Sequence, residues 1–148
     1  MSLFETRRQR TNLARLHAEC ELNYLRLKRV LPDLKSVGSE VRVSYSDRPG
    51  SDVFLRVAEV TQYTSVLVIA SEKSSPDWLP RIEVKVRVYH DARMAEVVEW
   101  CSDRTIPWEL CERPGMQARD EKWQWNIFLA DLLSHSLSHG MIEVELNA

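Results

Sequence analysis

The sequence predicts an α+β domain: an antiparallel meander of five to six strands with an N-terminal helix and a buried C-terminal helix packed on the sheet. Three observations carry this. Apolar residues recur at three- and four-residue steps near both ends of the chain. Between them, apolar and polar residues alternate with period two. The connections between those alternating runs are too short to hold the crossovers that a parallel sheet needs. At 148 residues the chain fits one domain, residues 1–148, of a size that buries about two thirds of its unfolded surface.

Each element has its own signal. Over residues 8–31, Leu13, Leu16, Cys20, Tyr24, Leu27 and Leu31 form one helical stripe, and Pro32 ends it because proline disfavours helix in the residue before it. Strands are expected within residues 40–111. Val41, Val43 and Tyr45 alternate with polar neighbours, Asp47-Arg48-Pro49-Gly50 is a turn, and Val53, Leu55 and Val57 follow. Tyr63 to Ala70 is β-branched and apolar on both faces, the mark of a central strand. After the loop Lys73–Pro80, the residues Ile82, Val84, Val86 and Val88 face one way. Val97 and Val98 continue the meander, and Ile106, Trp108 and Leu110 suggest a further edge strand. A second helix is expected over 119–139, its Trp125, Phe128, Leu129, Leu132, Leu133 and Leu137 covering more than half the circumference. Gly140 reads as its left-handed cap, and an edge strand over 142–146 is expected to follow.

Composition narrows the function. The chain is 44% hydrophobic and 28% charged, with a net charge of −2. Residues 1–37 hold eight Lys/Arg against four Asp/Glu, so a basic helix is joined to an acidic body. Nucleic-acid binding through Arg7, Arg8, Arg10 and Arg15 is a third-ranked reading, because a solvated basic helix face is commonplace. Cys20, Cys101 and Cys111 form neither a CxxC pair nor an even set, and the N-terminus has no apolar export segment. Both features point to a cytoplasmic protein with reduced thiols. No run approaches the roughly 20 apolar residues of a membrane span. Phosphate-cradling and hydrolase motifs (GxxxxGK[ST], GxGxxG, GxSxG, HExxH) are missing from the sequence, so no cofactor is expected.

The polar groups of interest gather where two alternating runs meet, at Tyr89, His90, Asp91 and Glu96. A connection over Asp91–Met94 sets His90 opposite Ala95 and Tyr89 opposite Glu96. Strand parity then sends His90 to the core rim and Tyr89, Glu96 and Arg87 to the other face, which divides any catalytic cluster. Asp131, His135 and His139, at i, i+4 and i+8, are a weak metal stripe, since one straight helix does not wrap a tetrahedral ion. Most of the five tryptophans read as core, whereas Trp78, between Pro76 and Pro80, marks a pocket cover or an interface.

Several blocks resemble the YqiB-like bacterial family. They are Cys20-Glu21-x-Asn23-Tyr24 with Leu31-Pro32, Tyr63-Thr64, and Val88-Tyr89-His90-Asp91-Ala92 with Ala95-Glu96-Val97. Arg119-Asp120-Glu121-Lys122-x-Gln124-x-Asn126-x-Phe128-Leu129-Ala130-Asp131 with His139-Gly140 completes the likeness, which runs from residue 17 to 140. The resemblance implies a domain of unknown function in cytoplasmic proteins. Its pattern has no histidine at the place of His135, which counts against the metal stripe.

The expected function is therefore a non-enzymatic binding or adaptor domain for an unidentified protein partner or small ligand. It would use the hairpin (Tyr89, His90, Glu96), Trp78 and Gln124, and the N-terminal helix offers a homodimer surface. The alternative is a small-ligand or hydrolase-like enzyme built on His90, Asp91, Asp120 and Glu121, with Asp120, Glu121, Gln124 and His90 lining one small polar cleft.

Overall fold

The structure, a computed structural model, is described for residues 3–45, 52–71, 83–100 and 118–145, with side chains for 13–45, 52–71, 83–100 and 122–143. Helix α1 (Leu3–Val30) is followed by β1 (Glu40–Tyr45), β2 (Val53–Val60), β3 (Thr64–Ser71), β4 (Glu83–Tyr89) and β5 (Met94–Trp100). Then come α2 (Ala118–His139) and β6 (Gly140–Glu145). The six strands form one antiparallel sheet in the order β5-β4-β3-β2-β1-β6, so the first five make the expected meander and the last returns beside β1. The expected strand at Ile106–Leu110, the Asp47–Gly50 turn, the Trp78 loop, Cys101 and Cys111 lie outside the described residues.

Alternation dictates the layers. Val41, Val43, Leu55, Val57, Leu67, Ile69, Val84, Val86, Val88, Ala95 and Val97 are all buried on one face of the sheet. Leu27, Val30 and Leu31 from α1 and its end, with Leu129 and Leu133 of α2, close the core over that face. α1 packs on α2 and β5, while α2 reaches β5, β1 and β6. The α1 stripe holds from Cys20 to Leu31 but peels away towards the N-terminus, where Leu13 is 51% exposed.

Two local expectations need correction. Gly140 is not a left-handed cap: only Gly38, at φ 90°, has that conformation among the described glycines. Gly140 opens β6 directly, and what it supplies is space, because an added Cβ would meet Ser136 O and Val43 Cγ1 at 2.6 Å each. The β4–β5 hairpin pairs Tyr89 with Met94 and Val88 with Ala95, not His90 with Ala95. Its connection is His90–Arg93, closed by Arg93 at φ 52°, so the register moves by two residues. A two-residue move preserves parity, and each side chain keeps its expected face.

Candidate functional site

The hairpin divides as parity requires. On the core side, the His90 N–H donates to Tyr63 O at 3.0 Å. Its Nε2 lies 2.8 Å from Ser65 Oγ, and that hydroxyl donates to Leu34 O at 2.5 Å. With its one proton spent on Leu34, Ser65 must accept from His90, which places the imidazole proton on Nε2. Burial holds the His90 pKa below its ordinary value; Lys35 and Lys28 add to this, and Asp91 opposes it. Ser65 is the partner the sequence reading missed. Its signal was a hydroxyl at an inward position of β3, ahead of Leu67 and Ile69.

On the opposite face, the Tyr89 hydroxyl donates to Glu96 Oε1 at 2.8 Å. Burial and the neighbouring Glu96 push the phenol pKa up. Tyr89 and Glu96 line a cleft of about 490 Å³ whose other walls are Leu13, Leu16, His17 and Cys20 from α1, Ala92 and Met94 from the hairpin, and Lys122 from α2. The cleft therefore lies where α1 separates from the sheet, at the β5 edge.

Beneath it sits a buried clasp. Asn23 and Asn126 are both 0% exposed. Asn126 Oδ1 accepts the Val97 N–H at 3.1 Å, on the outer edge that β5 has among the described residues. It also takes the Cys20 thiol at 3.9 Å, while Asn126 Nδ2 donates to Lys122 O at 2.7 Å. Asn23 Nδ2 donates to Asn126 O at 3.1 Å, and Arg26 Nη1 donates to Asn23 Oδ1 at 3.0 Å and Glu19 Oε1 at 2.8 Å. One pair of amides thus joins α1, α2 and β5. Burial, with Glu96 next, pushes the Cys20 thiol up to about 12, so it stays protonated.

The remaining expected site residues lie partly outside the described residues. Asp91 and Gln124 are exposed. Asp120 and Glu121 belong to the start of α2, but their side chains lie outside the described residues, as does Trp78. His90 turns to Ser65 and is not among the residues that line the cleft. His135 stacks on Tyr45 at 5.0 Å and neighbours His139 at 5.0 Å, while Asp131 is exposed. Among the described residues no group of three or more His, Cys, Asp or Glu is placed to hold a metal ion. Arg15 is exposed, and the side chains of Arg7, Arg8 and Arg10 lie outside the described residues. Among the described residues no helix is long and apolar enough to cross a membrane.

A family model described as "Protein of unknown function (DUF1249)" matches residues 26–142, most of the chain. The chain belongs to this family. It is similar to the uncharacterized protein YqiB of Escherichia coli strain K12, at 32% identity over 130 residues, covering 84% of this chain and 88% of that protein. The YqiB proteins of E. coli O6:H1 strain CFT073 and of O157:H7 match with the same identity and coverage. No solved structure matches the chain. The clasp and the Tyr89–Glu96 pair both lie within the matched family region or at its edge, with Cys20 and Asn23 just ahead of residue 26.

Proposed function

We propose that this domain is a non-catalytic binding module whose site is the cleft between α1 and the β4–β5 hairpin. The observation that carries the reading is the cleft itself: about 490 Å³, with Leu13, Leu16, Ala92 and Met94 around a hydrogen-bonded Tyr89–Glu96 pair. Ligand sites generally have this size and this mixture of apolar walls with a few fixed polar groups. Acid–base catalysis needs partners within hydrogen-bond reach. His90 instead spends its ring proton on Ser65, and the Tyr89 phenol is shifted away from easy ionisation. Exposed Leu22 and Leu25 on α1 offer a separate surface for a second copy.

The test is native mass spectrometry and light scattering on affinity-captured protein from bacterial lysate, comparing wild type with Ala92→Trp. Ala92 is exposed and lines the cleft, so the indole fills it without disturbing the core. A bound molecule present on the wild type and missing from the variant is expected. Equal retention by both would move the site elsewhere, and a strictly monomeric wild type that retains nothing would remove the binding reading.

A further inference from the structure

The charges around the cleft are unequally answered. Glu96 receives the Tyr89 hydroxyl and stands directly across the β4–β5 ladder from Arg87. Lys122, on the far wall, is exposed and makes no ion pair among the described residues, whose ion pairs are Arg26–Glu19, Arg42–Asp52 and Lys85–Glu99. It is close enough to Cys20 to offset part of that thiol's upward shift, to which Glu96 adds more than Lys122 removes. The cleft thus presents one uncommitted ammonium beside apolar walls from Leu13, Leu16, Ala92 and Met94. An uncharged polar end would leave the ammonium unanswered, and a second cation would be repelled. An anionic end gains a charge-assisted hydrogen bond, about twice as strong as a neutral one.

We propose that the cleft takes a small monocarboxylate with an aliphatic or aromatic body, its carboxylate on Lys122 and its apolar end between Leu13, Leu16 and Met94. This rests on reading the cleft as the binding site and adds the ligand's chemistry. The body must be short: the space suits a single small molecule, and Tyr89 and Glu96 close one wall with a committed polar pair.

Octanoate, 1-octanol and octylamine share a chain and differ at the head group, which makes them the probes. Each is titrated below its aggregation limit into protein labelled at the methionine methyls, following Met94. Octanoate is expected to shift the Met94 methyl saturably and to bind up to about fivefold tighter than octanol, the fold-change of one exposed charge pair. Octylamine is expected to bind more weakly still. Lys122→Met is expected to bring octanoate to the octanol value and leave octanol unchanged; Ala92→Trp is expected to abolish both. Octanoate no tighter than octanol on the wild type overturns the proposal without needing a variant, as does octanoate binding that ignores Lys122→Met. If no probe binds while Ala92→Trp still loses the molecule captured from lysate, the carboxylate proposal fails and the cleft reading survives. If that captured molecule also ignores Ala92→Trp, the cleft reading fails with it.

Discussion

At the scale of single residues, the polar groups of the family blocks do two different jobs. Asn126 is used at both ends of its amide and at its own carbonyl, so truncation takes the Oδ1 acceptor from the Val97 N–H and the Cys20 thiol, while the Lys122 carbonyl keeps its place in the α2 backbone ladder. A buried group stripped of its partner costs about 1–3 kcal/mol. Asn126→Ala is therefore expected to lose about 2–3 kcal/mol in urea denaturation, a group of partners being affected. Cys20, with its thiol pushed up to about 12, is expected to resist alkylation at pH 8 in the native state and to react once the chain is unfolded. Peptide mapping distinguishes it from Cys101 and Cys111. His90 has its pKa lowered in the fold, so on acidification the unfolded chain takes the proton first. Its contribution is complete above the ordinary value of 6.5 and is lost as pH falls through the lower, folded value. Stability measured from pH 7.5 downwards should fall below about 6.5, and His90→Asn, which keeps a donor for Ser65, should flatten that fall. An unchanged slope in the variant would assign the dependence to other groups.

At the scale of elements, the sequence was readable where periodicity alone decides and unreadable where closure geometry does. The α1 stripe, the β1–β5 alternation and the α2 face all appear in the burial pattern. Parity correctly separated His90 from Tyr89 and Glu96, yet the register was two residues off, because the choice of His90–Arg93 as the connection depends on Arg93 adopting φ 52°. Nothing about an arginine announces that conformation. A non-glycine residue there costs roughly 1 kcal/mol or more, so Arg93→Gly is expected to be neutral or slightly stabilising in thermal melts, and Arg93→Val destabilising. Gly140 was misread for a related reason. Helix-ending glycines commonly relieve φ, but this one admits Ser136 and Val43 against its backbone. Overpacking of this kind costs about 1–3 kcal/mol, so Gly140→Ala should lower the melting temperature although alanine favours helix.

At the scale of the whole molecule, the α+β order was legible, whereas the site was legible only in part. Tyr89 and Glu96 were singled out, but Leu13, Leu16, His17 and Lys122 reach the same cleft from two helices far away in sequence. No one-dimensional spacing encodes where α1 departs from the sheet. The clasp was hidden in the same way: Asn23 and Asn126 lie 103 positions apart and meet only through the docking of α1 on α2. A buried clasp on Asn23 and Asn126 thus joins α1, α2 and β5, and the cleft proposed as the binding site opens beside it, with Cys20 and Lys122 touching both. Urea denaturation of Asn126→Ala beside Ala92→Trp tests this arrangement most directly. Asn126→Ala is expected to lose about 2–3 kcal/mol while Ala92→Trp stays within about 0.5 kcal/mol of the wild type. A stable Asn126→Ala, or an Ala92→Trp that unfolds as readily as the clasp variant, would contradict it.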